Sequence, residues 1–344
     1  MRIFNAIKDK IGGVISKVPT LNVTMMGPRA VGKTSLMVSI FSETRDSVAG
    51  AGIYFRPTIE TSSVLTKKKL KLQSIFSNNT NIQDKPQTGV IEATPEETTF
   101  SFVMGKVGRA HTVKIDIKDF PGEYLSAQPE KVAEFVIESN VIMVAIDTPY
   151  LMEDNGIYNE MKNEVQLVTS FLKKNRDVIK DKMILLVPLK SERYFHDNRL
   201  EELNRKIKSA YSDLIAICRE YNIACAITPI QTLGHVEFDR FVDNNISFGG
   251  ITKISKYRFY GEHPHFAPMF CVQPLYYLLT YVANQYEWMT NQSTDIFESI
   301  RNTFISYLKD DNEFFYEIKK MGKHIIHNRY GYELVVTNTI FNIK

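Results

Sequence analysis

The stretch of sequence that decides the fold reads Gly27-Pro28-Arg29-Ala30-Val31-Gly32-Lys33-Thr34-Ser35. Its spacing, G-x-x-x-x-G-K-[ST], is typical of a loop that wraps phosphate groups. The glycines let successive backbone N–H groups point inward, Lys33 can place its ammonium over the outer phosphates, and the Thr34 hydroxyl can bind Mg²⁺. All nine residues are therefore candidate phosphate-binding residues, and Lys33 and Arg29 are also candidate catalytic residues.

The flanks of this loop have the pattern that it requires. Residues 21–26 form a short apolar run that predicts a buried strand, and residues 35–41 have apolar residues at helical spacing. A helix at this point adds the positive end of its dipole to the loop. The alternative is a glycine-rich turn that binds nothing, and the strand–loop–helix order favours the phosphate loop over it.

The bulk properties are those of a globular chain with one large domain or two ordinary ones. It has 344 residues, of which 44% are hydrophobic and 24% are charged. A formal net charge of +3 is too small to indicate a nucleic-acid partner. The 3 cysteines are widely spaced, which is typical of a reducing compartment, and no apolar run has transmembrane length. We therefore expect a cytoplasmic protein.

Residues 1–19 predict a basic amphipathic leader helix. Contact of residues 1–18 with an anionic membrane or a partner is one interpretation of this pattern. Packing of the leader against its own domain is the favoured interpretation, because Gly12 and Gly13 weaken the helix.

Strands and helices alternate from residue 20 to residue 235. The predicted strands lie near 21–26, 98–105, 111–118, 140–147, 182–188 and 223–228, and the predicted helices near 33–42, 128–138, 158–174 and 199–221. This order predicts an α/β three-layer sandwich with a mostly parallel six-stranded sheet. A hairpin pattern at 103–112 predicts one antiparallel edge strand.

Two segments depart from the alternation. Residues 61–97 predict a long loop inserted in the first domain, with a lysine run at Lys67–Lys69 that favours a solvated face over a specific anionic partner. Residues 236–344 predict an irregular or β-hairpin insertion at 236–265 and then a C-terminal helical extension with helices near 272–288, 293–309 and 311–328. Residues 332–336 are a candidate last strand.

A second motif follows the predicted strand at 111–118. It reads Asp119-Phe120-Pro121-Gly122-Glu123, and it places a carboxylate at the end of a strand. In a nucleotide-binding α/β sheet this is where a carboxylate faces the metal ion held by the loop threonine. A simple Pro-Gly turn is the alternative, and the position of the motif after a phosphate loop favours the metal role.

The two motifs together resemble the P-loop GTPases of the translation-factor-related (TRAFAC) class, which includes Ras-like and elongation-factor-like switches. The resemblance implies binding of GTP, GDP and Mg²⁺, with Asp119 reaching the metal through water and the Gly122 N–H sensing the γ-phosphate. Glu123 stands where the family often has the Gln or His that orients the attacking water. A carboxylate near the γ-phosphate makes slow or partner-dependent hydrolysis the expectation.

The switch I threonine of the family, which meets Mg²⁺ and the γ-phosphate, has two candidates. Thr58 lies in Pro57-Thr58-Ile59-Glu60, which is close to a Ras-like string. Thr94 lies just before the strand that pairs with the Asp119 strand, which is where the family places this residue. The distance to the strand favours Thr94.

The base-reading motif of the family, Asn-Lys-x-Asp, is only partly present. Leu189-Lys190-Ser191-Glu192 keeps a lysine that can stack on a base and has a longer carboxylate, but it has lost the asparagine. Lys190 and Glu192 are thus candidate base-binding residues, and ordinary surface charges are the alternative. Guanine preference is implied by the resemblance alone.

Residues 228–234 and 266–275 resemble a bacterial subgroup called double-GTPase-type domains, and the resemblance covers roughly residues 20–285. It implies a switch with a protein effector in a conflict or defence system. Arg29 departs from the Ras-like glycine, and three roles stay open: reaching the phosphates, pointing to solvent, or obstructing hydrolysis. An ATP-using P-loop enzyme and a scaffold that binds nucleotide without turnover are the alternative functions.

Overall fold

The structure, a computed structural model, describes residues 20–47, 53–77, 96–108, 113–245, 251–291 and 312–341. The predicted leader at 1–19, the predicted helix at 293–309 and the candidate Thr94 lie outside these ranges. They stay predictions.

The described ranges contain the strands in the order in which the sequence predicts them, with one strand inserted after the first of them and three more after the last. The strands are β1 (Thr20–Met26), β2 (Ile53–Pro57), β3 (Thr98–Lys106), β4 (Val113–Asp119), β5 (Val141–Asp147), β6 (Met183–Leu189), β7 (Ala224–Ile227), β8 (Val236–Asn245), β9 (Ile251–Phe259) and β10 (Glu333–Val336). The longer α-helices, numbered in chain order, are α1 (Lys33–Ser47), α2 (Ile59–Ser77), α3 (Pro129–Glu138), α4 (Val165–Lys174), α5 (Leu200–Ala210), α6 (Ser212–Glu220), α7 (Gln273–Asn291) and α8 (Asn312–Met321). Short helical turns lie at Tyr124–Ala127, Thr148–Met152, Asp154–Gly156, Asn159–Asn163, Arg176–Ile179, Glu192–His196 and Gly322–His324.

One mixed sheet forms the middle layer, in the order β10-β7-β6-β5-β1-β4-β3-β2. The five strands from β7 to β4 are parallel to their neighbours, whereas β10 pairs antiparallel with β7, and β3 pairs antiparallel with β4. The α/β class and the mostly parallel sheet are confirmed. The strand count is corrected from six to eight.

The two additional strands lie at the sheet edges. β2 pairs antiparallel with β3, so the antiparallel strand β3 is not an edge strand as predicted. β2 is only five residues long, too short for a clear alternating pattern. β10 is the candidate strand near 332–336, and it adds to the opposite edge.

Alternate side chains of the central strands pack into two separate apolar cores, one on each face. On β5, Val141, Met143 and Ala145 belong to one core, and Ile142, Val144 and Ile146 belong to the other. Strands that are buried on both faces read as continuous apolar runs, which is why the sequence predicts them well. The layers of helices on the two faces complete the three-layer sandwich.

Helix α2 replaces the first part of the loop predicted at 61–97. It runs from Ile59 to Ser77, and its inward residues Thr61, Leu65 and Leu72 are buried. Serine, threonine and lysine dominate the rest of the helix, so its narrow buried stripe is hidden in a polar composition. Residues 78–95 lie outside the structural description.

The segment after residue 235 contributes to the same core as the sheet. Strands β8 and β9 form the antiparallel hairpin that the sequence allowed at 236–265. Leu275, Leu278 and Val282 of α7 then pack into the core that contains β1 and β5 residues. Within the part of the chain that the structure covers, no helix is both long and apolar enough to cross a membrane.

Candidate functional site

The phosphate-loop sequence lies between the end of β1 and the start of α1, at the carboxyl edge of the sheet. Gly27 and Gly32 have φ angles of 141° and 114°, and Ala30 has a φ of 62°. A Cβ atom at position 27 would lie 2.8 Å from the Ala145 carbonyl oxygen, so only glycine fits there. The chain order changes direction at β1, which lies between β4 and β5, and ligands of such sheets bind at this point.

Lys33 closes the loop onto itself. Its ammonium is buried and donates hydrogen bonds to the carbonyl oxygens of Gly27 at 2.7 Å and Pro28 at 3.2 Å. Burial lowers the pKa of Lys33, and the negative charges of Asp119, Glu123 and Glu164 oppose that shift. A polyphosphate at the loop would add negative charge where burial has made the ammonium costly.

Asp119 lies at the end of β4, opposite Met25 of β1 in the register. The Thr34 hydroxyl donates to Asp119 Oδ2 at 3.2 Å, and Asp119 Oδ1 lies 3.9 Å from Lys33 Nζ. Oδ1 is buried and makes no hydrogen bond within the described structure. Burial raises the pKa of Asp119, while Lys33, Thr34 and Lys68 oppose the shift.

The donor atoms at this point fit a magnesium ion. Mg²⁺ prefers a few carboxylate and hydroxyl oxygens and keeps several water molecules. The Thr34 hydroxyl and the unsatisfied Asp119 Oδ1 are oxygens of this kind, beside a loop shaped for phosphate. A cation there would also supply the partner that the buried carboxylate oxygen lacks.

Gly122 brings the turn after β4 into contact with the phosphate loop. A Cβ atom at position 122 would lie 2.6 Å from the Arg29 backbone nitrogen and 2.8 Å from the Pro28 carbonyl carbon. These are backbone atoms that cannot move aside cheaply. The absence of a side chain at 122 therefore lets the two segments touch.

Lys190 approaches the other side of the loop. Its ammonium donates to the Ala30 carbonyl oxygen at 3.1 Å and forms an ion pair with Asp147 Oδ2 at 2.5 Å. Burial lowers the pKa of Lys190, but Asp147 outweighs it and holds that pKa above its usual value. The ammonium also lies 5.9 Å from the ring centre of Tyr257 in the β8–β9 hairpin. Lys190 thus joins the loop, β5 and the hairpin.

Glu192 has a different environment from the one predicted for a base-binding carboxylate. Its side chain is buried, and Oε1 accepts hydrogen bonds from Leu233 N at 2.8 Å and from the Thr232 hydroxyl at 3.2 Å. These contacts favour a role in anchoring the segment after β7. In this structure the Glu192 carboxylate forms its hydrogen bonds with that segment.

The structure does not bring Thr58 to Asp119. Thr58 N donates to the Ser101 carbonyl oxygen, and Ser101 pairs with Asp116, three positions before Asp119 on β4. Three residues along a strand and two strand spacings across the sheet separate the two sites by about 14 Å. The Thr58 hydroxyl instead accepts the Thr61 N–H at 3.4 Å, at the beginning of α2. Position 58 is therefore a helix cap here, which corrects its assignment as a metal ligand.

The sequence reasoning missed three residues near the loop. Asp147 and Lys68 are not among the predicted site residues, and Glu164, whose charge acts on Lys33, lies between the helical turn at Asn159–Asn163 and α4. Asp147 carried a readable signal, because it ends the buried apolar run of β5 just as Asp119 ends β4. Lys68 and Glu164 carried none, since each lies in a stretch rich in charged residues.

Of three comparisons with known proteins, only the search of solved structures finds matches. A scan against models of protein families and a search of curated proteins find no match. Among solved structures, the chain is similar to the GTPase-like domain of S. cerevisiae Ski7 bound to GDP and inorganic phosphate, with 13% identity and a TM-score of 0.39. It is also similar to that domain bound to GTP, with 18% identity and a TM-score of 0.38. Each alignment covers 66% of this chain and 45% of the other, so the chain spans less than half of those chains.

Proposed function

We propose that this chain binds GTP with Mg²⁺ at the loop of residues 27–35 and acts as a molecular switch with slow or partner-stimulated hydrolysis. One observation carries the proposal. The Lys33 ammonium, the Thr34 hydroxyl and the Asp119 carboxylate meet within 3.9 Å at the carboxyl edge of the sheet. The sequence separates Asp119 from the loop by more than eighty residues, and their proximity in the fold supports a joint role in binding phosphate and metal.

The residues divide the binding between them. The loop N–H groups and Lys33 hold the phosphates, and Thr34 and Asp119 hold Mg²⁺, which would neutralise charge on the β- and γ-phosphates when bound. Gly122, in contact with the loop, is placed for its N–H to respond to the γ-phosphate. A loop whose anchoring carbonyls already bind Lys33 needs little rearrangement to accept a polyphosphate.

We assign recognition of the base to the side of the loop on which Lys190 lies. The Lys190 stem passes near Gly32, since a Cβ atom on Gly32 would lie 3.9 Å from Lys190 Cε. A base that enters beside the loop would contact this stem. Glu192 is retained as a base acceptor only if it exchanges its bonds to residues 232 and 233 for bonds to guanine, and its burial makes this costly.

Hydrolysis would replace the bond between the γ-phosphorus and the β–γ bridging oxygen by a bond to a water oxygen. The bonding electron pair leaves with GDP, and the proton that the water gives up passes to the released phosphate or to solvent. Glu123 is the carboxylate placed to accept a hydrogen bond from such a water, but its charge repels the γ-phosphate and Arg29 holds it. This opposition is the physical reason for a slow intrinsic rate.

Direct titration tests the binding proposal. We expect the full chain to bind GTP and GDP in the presence of Mg²⁺, to lose GTP affinity in EDTA, and to bind ATP and ADP at least tenfold more weakly. Lys33→Ala should abolish binding. The matched control is Lys182→Ala, which removes another buried lysine that donates to backbone carbonyls, those of Ile137 and Ser139.

Each outcome of the titration decides between functions. Equal binding of ADP and GDP rejects guanine selectivity and leaves the ATP-using enzyme. Loss of binding in both lysine variants attributes the effect to folding, and a wild-type chain that binds no nucleotide rejects the proposal altogether.

A nucleotide-binding scaffold is the second candidate function, and the Arg29–Glu123 ion pair favours it. The pair engages two of the three candidate catalytic side chains, Arg29 and Glu123, at 3.3 Å. Single-turnover hydrolysis of bound GTP separates the two functions. A rate that is undetectable in the wild type and stays undetectable in Glu123→Gln and Arg29→Ala identifies a scaffold, whereas a measurable rate that either substitution alters identifies a hydrolase. The protein effector of either function would be sought by comparing partners of the GTP-bound and GDP-bound chain.

A further inference from the structure

Helix α2 carries a lysine on the face that it buries. Thr61, Leu65 and Leu72 are buried to within 5% exposure, and they mark the inward stripe of the helix. Lys68 lies three residues after Leu65 and four before Leu72, which places it on the same stripe. Lys68 and Lys69 are half-buried, whereas Lys67 and Lys71 are exposed. A half-buried ammonium on the inward face of α2 points to a specific role for Lys68.

The helix brings that lysine to the level of Asp119. Thr61 accepts the backbone N–H of Ser101 at 2.9 Å, and Ser101 pairs with Asp116. From there Lys68 is seven residues along the helix and Asp119 is three residues along the strand, and each advance is about 10 Å.

The direction and the face of the sheet also agree. The last turn of α2, at Ile75 and Phe76, packs against the hairpin residues Val236 and Phe238, beyond the carboxyl edge of the sheet. Leu65 and Leu72 pack in the core on the face where Val113, Ile115 and Ile117 point. Asp119 continues this alternation along β4, so its carboxylate lies on the face that α2 covers.

The charges are consistent with this placement. Lys68 acts on Asp119, where its positive charge opposes the rise in pKa that burial causes. A lysine on the inward face of α2 that acts on Asp119 is close to where the outermost phosphate of a loop-bound nucleotide would lie, because Lys33 and Thr34 share that carboxylate.

We propose that Lys68 is a second cation of the phosphate site, which binds the terminal phosphate of a triphosphate and so couples helix α2 to the presence of that phosphate. The inference rests on the proposed function. A diphosphate ends before this position, so Lys68 would distinguish GTP from GDP. The lysine run at Lys67–Lys69 then contributes one cation, Lys68, to the phosphate site.

The test compares Lys68→Met, which keeps most of the apolar stem, with Lys67→Met as the matched control. The probes are the non-hydrolysable β,γ-imido analogue of GTP and GDP, each with excess Mg²⁺. We expect Lys68→Met to weaken binding of the triphosphate analogue at least tenfold and to change GDP binding less than twofold. Lys67→Met should change neither, and Lys68→Arg should restore part of the triphosphate affinity.

If Lys68→Met fails to fold, a second measurement on the wild-type chain still tests the inference. Hydrogen exchange of the amides in residues 61–77 should slow more with the triphosphate analogue than with GDP. Equal protection, or a Lys68→Met variant that binds both nucleotides as Lys67→Met does, overturns the inference while the proposed function stands. A wild-type chain that binds neither nucleotide rejects the proposed function and this inference with it.

Discussion

The guanidinium of Arg29 lies 3.3 Å from the carboxylate of Glu123, and this ion pair joins the phosphate loop to the turn after Asp119. Both side chains are more than half exposed, at 68% and 53%. An exposed pair of this kind contributes about 0–1 kcal/mol to stability. Its importance lies in the position of the two charges beside the proposed site for the outer phosphates.

Glu123→Gln should accelerate GTP hydrolysis by about tenfold, because removing about 1.4 kcal/mol of charge repulsion from the γ-phosphate changes a rate by that factor. The amide keeps a hydrogen-bond acceptor for water, and Arg29 is released. Single-turnover rates measure the effect, with Glu130→Gln as the control on the exposed first turn of α3. A slower Glu123→Gln variant would show that the carboxylate charge assists the reaction.

Gly122→Ala should weaken nucleotide binding at least tenfold with little effect on the rest of the fold. The added Cβ meets Arg29 N and the Pro28 carbonyl carbon at 2.6 and 2.8 Å, so the loop or the turn must shift. Titration with GTP and GDP measures the change, and Ser126→Ala is the control in the same turn. Unchanged affinity would mean that the contact between turn and loop is not part of the binding site.

Asp147→Asn should destabilise the chain by about 3 kcal/mol, because it leaves the Lys190 charge in a mostly buried position without its carboxylate. The pair spans 2.5 Å, and Lys190 is 22% exposed. Lys190→Met in addition should recover part of the loss, since it removes the stranded charge. Urea unfolding of Asp147→Asn, Lys190→Met and the double variant measures the coupling energy between the two residues. Strictly additive losses of stability would contradict the prediction.

The strands of the sheet were predictable to within a few residues, because β1, β5 and β6 are buried on both faces and read as apolar runs. β2 and α2 were not. β2 is short, and α2 buries a narrow stripe, Thr61, Leu65 and Leu72, under a polar composition. Local periodicity carries little signal when so few positions of an element face the core.

The site was predictable where strand order decides it and unpredictable where distant partners decide it. Lys33 and Asp119 follow adjacent parallel strands, so their proximity follows from topology. The bonds of Glu192 come from Thr232 and Leu233, and the partner of Asp147 is Lys190, about forty residues away in each case. No local sequence pattern indicates which donor a given buried carboxylate will bind.

Glu43 should make the stability of the chain depend on pH. Its carboxylate on α1 accepts the backbone N–H groups of Phe270 at 3.1 Å and Cys271 at 2.6 Å, just before α7 begins. Burial raises the pKa of Glu43 from 4.5 to about 7, although these backbone hydrogen bonds oppose the shift. Between those values the folded chain keeps a proton that the unfolded chain has lost.

The free energy of unfolding should therefore fall as pH rises from 4.5 to about 7 through this group, and level off above. The slope from one proton is at most about 1.4 kcal/mol per pH unit. Glu43→Gln cannot titrate, so its urea-unfolding free energy should lack this component of the slope, whereas the exposed Glu201→Gln should retain it. Parallel pH profiles for wild type and Glu43→Gln would mean that the carboxylate stays ionised in the fold, because the backbone donors before α7 then outweigh its burial.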